Sequence, residues 1–361
     1  MLIASLILSF VGCGLVIINS FSMRVITPAQ STTITDSIAI LIPMRNEERN
    51  VEGAVASVIA QRGLENASIT VLDDQSTDST SELLAGFSQQ IKIINGTNPP
   101  SGWLGKIHAC STLAASTEAD YLVFLDADVR LHPSAISATI SSMEKWGWDF
   151  ISPYPREIAR GLMERLIQPL LQWSWMASVP LRLAERLRQP SMVIANGQFM
   201  VIKRAAYLAI GGHNSIKGEV LDDLELARAL VRAGYNGGVA EASQIAECRM
   251  YESSNELIAG YTKSLWRAFG GVAGTLFAVL ILWLTGITPI NSASLGHPIG
   301  WIAFLLVMMS RSLAAARTGG NPAMGVLHPV AILALFYLIA LSWIRKSRGT
   351  LQWRGRAVAL L

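Results

Sequence analysis

The sequence predicts an α/β chain: a mostly parallel sheet with helices on both faces, set between transmembrane helices at the N and C termini. Three observations predict it. Short apolar runs alternate with helical patterns between residues 37 and 125, the order that builds a parallel sheet. Of 361 residues, 51% are hydrophobic and only 15% charged, with a mean hydropathy of +0.39, more apolar than an average soluble protein. Charge is also segregated. With His297 taken as neutral, no charged residue occurs from Met1 to Met23 or from Ala268 to Ser310, and every Asp and Glu lies between residues 24 and 267.

Each element follows in order. Residues 1–23 are long enough for one membrane-spanning helix. They lack a basic segment before the apolar run, and Arg24 follows it, so an uncleaved anchor is expected over a signal peptide. In "SIAILIPMRNEERN" (37–50) a five-residue apolar run closes at Pro43, and the helical pattern of "VEGAVASVIAQRG" ends at Gly63. In "SITVLDDQSTDSTSELLAGF" (68–87) a β-branched strand enters a carboxylate-rich loop, with a helix start signalled by Ser76, Thr77 and Asp78. "IKIING" (91–96) reads as a third strand, "LGKIHACSTLAAST" (104–117) as a helix and "DYLVFLDAD" (120–128) as a fourth strand. Residues 156–190 interleave Arg, Leu and Trp, with Leu162, Leu166 and Leu170 at helical spacing and Pro169 as a kink. That pattern suits an interfacial helix that guides a lipid, or equally a helix packed on the domain. After residue 267 come one apolar segment from Ala268, a short one at 298–310 and a third at 326–344, so two or three further spans are expected. The resulting divisions are 1–23, 24–267 and 268–361.

The seven charged residues after position 267 are all basic, leaving 22 basic and 26 acidic residues before it. The net charge of +3 therefore hides a mildly acidic central domain and a basic membrane part, which argues against nucleic acid and for the lipid bilayer as partner. Basic flanks place the central domain on the cytoplasmic side. Three C-terminal crossings would put the tail "RKSRGTLQWRGR" opposite the domain and two would keep it on the same side; two crossings are preferred. Cys13, Cys110 and Cys248 have no C-x-x-C spacing, so neither a disulfide framework nor a zinc site is expected.

An isolated Asp126-x-Asp128 at a strand end is usually a solvated turn. Here Glu47, Asp73, Asp74, Asp126 and Asp128 all follow strands, and in a parallel sheet strand ends share one rim where ligands bind. Carboxylates gathered there repel one another unless a cation compensates. A hard divalent ion with oxygen ligands, bridging to phosphates, is the natural compensator. No P-loop or dinucleotide glycine pattern is present.

Five motifs in this order resemble the inverting family-two glycosyltransferases with the nucleotide-sugar-binding GT-A fold. They are "IPMRNEE", "LDDQSTDST", "LGKIHA", "LDAD" and "EVLDDLELARAL", spread over residues 37–267. With "SGWLGK", "GYTK" and "LQWRGR", the chain is similar to the membrane-anchored branch that acts on carotenoid and hopanoid-type isoprenoids. The resemblance implies Mg2+ or Mn2+ on Asp126 and Asp128, stabilising the leaving diphosphate. It implies that Pro43, Arg45, Asn46, Glu47, Asp73, Asp74, Lys106 and Asp126 face a nucleotide-sugar donor, and that Asn196, Gly197 and Gln198 line the sugar pocket. Asp223 aligns with the family's catalytic base, beside Asp222, which could instead be a helix N-cap. The Q-x-x-R-W element that the family's processive members and ceramide glucosyltransferases carry is missing from "YTKSLWRAF", which argues against processive polymer synthesis.

The expected function is transfer of one sugar, UDP-linked, to a membrane lipid acceptor such as a carotenoid or hopanoid, by a multi-pass cell-membrane protein. A polyprenyl-phosphate or polysaccharide transferase is the alternative within enzymes, and a nucleotide-binding membrane scaffold the alternative outside them.

Overall fold

The computed structural model describes residues 1–353, 356 and 357; of the basic tail, Arg354 lies outside the described residues. The chain forms two compact units. One comprises Arg24–Arg156 and Ala184–Arg249; the other comprises Met1–Met23, Glu157–Leu183 and the chain from Met250.

The main strands of the first unit are β1 (Ile34–Met44), β2 (Leu64–Asp73), β3 (Lys92–Asn95), β4 (Tyr121–Leu125), β5 (Val129–Leu131), β6 (Phe150–Tyr154), β7 (Phe199–Lys203), β8 (Gly237–Glu241) and β9 (Ala246–Cys248). Seven of them form one sheet in the order β3-β2-β1-β4-β7-β6-β8. In that sheet only β7 runs against the others. The central strands are continuous Ile/Leu/Val runs because both faces are covered: Ile38–Ile42 and Tyr121–Leu125 are buried throughout. Registers Met44↔Asp73 and Leu125↔Phe199 bring the ends of β1, β2 and β4 and the start of β7 to one edge. β5 and β9 pair separately, antiparallel. The alternation expected from the sequence is present, with helices at Val51–Ile59 and Gly105–Ala115.

One local expectation needs correction. The helix after β2 starts at Thr80, not at Ser76–Asp78. The residues that read as helix caps are used inside the loop: Asp73 Oδ1 accepts the Ser76 N–H at 3.0 Å and Asp78 Oδ1 accepts the Thr80 hydroxyl at 2.6 Å. Such side chains offer the backbone an alternative to helix.

The second unit is helical. Four of its helical segments are long and apolar enough to cross a membrane: Leu2–Ser22, Val272–Ser294, Pro298–Arg317 and Pro322–Ser347. The segment at 298–310 looked short for a full span, but its helix continues through "RSLAAAR" to 20 residues, because small Ala residues carry it on. Leu162–Ser178 is a helix with Pro169 inside it. Its Leu166 and Leu170 are buried, whereas Leu162 is exposed. Trp173 Nε1 donates to Ser310 Oγ at 2.9 Å, and Asn19 donates to the carbonyls of Met176 and Val179, both at 2.8 Å. Its apolar row thus packs among the terminal helices.

Leu41 is fully buried in β1 and Leu208 is half exposed. Leu41→Ala is expected to cost about 2–5 kcal/mol, and Leu208→Ala less than about 1 kcal/mol, in denaturant titrations of the detergent-solubilised protein. Equal losses would contradict the placement of the core.

Candidate active site

The edge that collects the strand ends carries a cleft lined by Pro43, Lys106, Cys110, Phe124, Leu125, Asp126, Gly197, Met200, His213, Asp222, Asp223 and Leu226. Five stretches far apart in sequence supply these residues: the end of β1, the helix Gly105–Ala115, the end of β4, the turn before β7 with the start of that strand, and the segment 211–226.

Asp126 follows β4, and its N–H donates to the Gln198 carbonyl at 2.9 Å, which fixes the turn against the start of β7. Lys106 Nζ stands 2.8 Å from its carboxylate, with both side chains 26% exposed. Burial works against the Lys106 charge, but Asp126 and then Asp222 outweigh it and hold the ammonium well above the ordinary lysine range. Lys106 is therefore a cleft residue and not a free surface lysine. Burial, and then the charge of Asp126, push Asp128 up to about 6. Its Oδ1 is shut off from solvent without a hydrogen-bond partner. An orphaned carboxylate oxygen beside a second carboxylate fits a hard cation. No group of three or more His, Cys, Asp or Glu that could hold a metal is found among the described residues. An ion here would have two protein carboxylates and would need further oxygens from water or a phosphate ligand.

Asp222 and Asp223 open the helix Asp222–Arg232, whose N-cap is Leu221. Asp222 is thus the first helical residue and not the cap, and either carboxylate is favourable at a helix N-terminus. Asp223 Oδ2 accepts the Gly197 N–H at 2.7 Å and Oδ1 the Leu224 N–H at 2.8 Å. Burial and then the Asp222 charge raise its pKa to about 6 despite those bonds. Gly197 permits this close approach: a Cβ there would lie 3.1 Å from Asp223 Cβ, tighter than an ordinary contact.

Asn196 and Gln198 do not line the cleft. They brace it: Asn196 donates from its amide to Gln198 Oε1 at 2.9 Å and from its backbone to Ser152 Oγ at 2.7 Å, while Gln198 Nε2 donates to Cys248 Sγ at 3.0 Å. The Cys248 thiol in turn hydrogen-bonds Asp128. Arg45, Asn46, Glu47, Asp73 and Asp74 sit on the same edge in interlocked loops, also outside the cleft lining. Arg45 donates to the carbonyls of Asp74 and Gln75, and Asn46, at φ 52°, accepts the Thr77 N–H at 2.8 Å. The Asn50 amide donates to Glu47 Oε2 at 2.8 Å. Asp73 and Asp74 are buried, with Asp73 accepting from Ser76 N–H and the Ser81 hydroxyl.

Sequence reasoning missed His213, Tyr207 and Cys110. His213 and Cys110 line the cleft, and Tyr207 Oη is 2.8 Å from His213 Nδ1. The only sequence signal was Gly211-Gly212 before the histidine, a pair that marks a turn. Burial pushes the Cys110 thiol up, so it lines the wall as an inert small group.

The Glycosyl transferase family 2 model matches residues 39–211. The 4,4'-diaponeurosporenoate glycosyltransferase of Staphylococcus haemolyticus (strain JCSC1435) is 28% identical over 266 residues, covering 70% of this chain and 67% of that protein. Its namesake from Staphylococcus aureus (strain USA300) is 24% identical over 339 residues, covering 90% and 88%. Among solved structures, a mannosyltransferase from Pyrobaculum calidifontis in complex with GDP-Man and Mn2+ superposes with a TM-score of 0.54 at 17% identity, covering 96% of this chain and 99% of that one. Residues 39–211 thus carry the likeness to glycosyl transferase family 2, and the superposition shows the GT-A fold.

Proposed function

We propose that this protein is a membrane-bound inverting glycosyltransferase that moves one sugar from a nucleotide sugar, UDP-linked, to a carotenoid-like lipid. The observation that carries this reading is the cleft, which sets Lys106 and Asp126 on one wall and Asp222 and Asp223 at a helix start on another. The acceptor class rests on the two relatives named for a carotenoid acid. The tether rests on apolar helices at both ends of the chain, which suit an acceptor that never leaves the bilayer. The sheet unit faces the cytoplasm, as the basic flanks suggest.

In the proposed reaction Asp126 and Asp128 would hold Mg2+ or Mn2+, which when bound would stabilise charge on the departing diphosphate. Lys106 adds a fixed positive charge beside Asp126. The loops of Arg45–Glu47 and Asp73–Asp74 hold the nucleoside. Asp223 takes the acceptor's proton as the new bond forms at the anomeric carbon. A hydroxyl needs this because it is a weak nucleophile at neutral pH. A lipid carboxylic acid needs it because a low-dielectric site keeps the acid protonated. The two backbone donors on Asp223 fix its direction.

Because the base must be ionised, kcat/KM is expected to fall as pH drops through about 6, following the raised pKa of Asp223; a profile flat from pH 8 to 5 would contradict the assignment. Asp223→Asn is expected to lower kcat about 100- to 10,000-fold with little change in donor KM. Sugar transferred to the lipid phase from UDP-sugars is the assay. Asp128→Asn is expected to abolish stimulation by Mn2+, and a variant still stimulated would remove Asp128 from the cation site.

A further inference from the structure

His213 enters the cleft beside Asp222 although the proposed transfer assigns it no task. It is 4% exposed and lies in the turn Gly212–Ile216. Its hydrogen bonds decide where its proton sits. The Tyr207 hydroxyl accepts the His213 backbone N–H at 3.1 Å and pairs with ring Nδ1 at 2.8 Å. Were Nδ1 protonated, that hydroxyl would accept twice and its own hydrogen, on a residue 5% exposed, would have no acceptor. The arrangement that satisfies the Tyr207 hydroxyl has it donating to Nδ1 and the ring proton on Nε2. Burial keeps the imidazole neutral, with a pKa lowered to about 4, so this donor persists at neutral pH.

The surroundings hold the ring still. Gly212 has φ 54°, and a Cβ there would fall 2.4 Å from the Tyr207 ring, so only glycine lets the hydroxyl close on Nδ1. Phe124 meets the imidazole edge to face at 4.9 Å. Nε2 makes no hydrogen bond to the described residues, and neither does the Asp222 carboxylate, the charge that acts most strongly on His213. One directed donor and one open acceptor thus line the same cleft.

We propose that His213 and Asp222 form a pair that reads a single hydroxyl of the transferred sugar, its oxygen accepting from Nε2–H while its hydrogen is donated to the Asp222 carboxylate. The pairing rests on the cleft being a nucleotide-sugar site. It makes His213 a specificity residue, because a sugar lacking that hydroxyl leaves both partners unsatisfied.

The test uses the full chain in lipid nanodiscs and whichever of UDP-glucose, UDP-N-acetylglucosamine and GDP-mannose the wild type uses, with its single-deoxy analogues. Wild type is expected to lose about 10- to 100-fold in kcat/KM for one deoxy position only. His213→Leu is expected to lose a similar factor with the parent sugar and to stop discriminating at that position. His213→Gln, whose amide nitrogen can stand in for Nε2, is expected to recover part of both. Inhibition by free UDP should stay unchanged in each variant, which reports intact folding. An active His213→Leu that discriminates like wild type overturns the pairing alone. So does a loss that is uniform across all analogues and accompanied by weaker UDP inhibition. No transfer by wild type from any donor overturns the transferase reading and the pairing with it.

Discussion

Lys106 is the constraint on which the cleft depends. Among the described residues it is the one cationic side chain lining the cleft, against Asp126, Asp222 and Asp223. Its 2.8 Å contact with Asp126 leaves the remaining acids to be held by other means: backbone donors from Gly197 and Leu224 for Asp223, and the thiol of Cys248 for Asp128. These donors are incomplete compensation. Burial first, and then the neighbouring carboxylates, keep both Asp128 and Asp223 displaced upward, to about 6, and three carboxylates to one lysine in the cleft lining leave an excess of negative charge. Such an excess favours a cation and a proton in transit, the two species the proposed transfer requires.

The fold supplies this arrangement through register. Parallel strands deliver β1, β2 and β4 to one edge, and the single reversed strand, β7, begins where they end because Phe199 pairs with Leu125. That reversal carries Gly197 to Asp223 and Gln198 to Asp126. The antiparallel pair β5–β9 then brings Cys248 opposite Val129, one residue beyond Asp128. A strand shifted by one residue would turn these contacts to the other face.

Much of this was legible in the sequence and some was not, for identifiable reasons. The apolar runs of β1 and β4, the carboxylates at their ends and the charge-free terminal segments are local patterns, and the sequence displays them directly. The rim of acids follows from topology, which alternation of strands and helices implies. The bracing roles of Asn196 and Gln198 were not legible, because a turn residue aimed inward and one aimed at a ligand look alike in a string. His213 was invisible for a similar reason: its value depends on Tyr207, whose hydroxyl meets it only across the turn made by Gly211 and Gly212. The helix Leu162–Ser178 showed an apolar row in sequence, but its partners, Ser310 and Asn19, lie more than a hundred residues away. Asp78 was misread as a helix start because a short polar side chain caps a loop as readily as a helix.

The proposed transfer is a single displacement, with Asp223 removing the acceptor's proton opposite the leaving diphosphate. It is tested most directly by the anomeric configuration of the glycolipid made from an α-linked UDP-sugar, read from the anomeric proton coupling in NMR. The β-linked product is expected throughout. An α-linked product would show retention and would contradict a single displacement at this site.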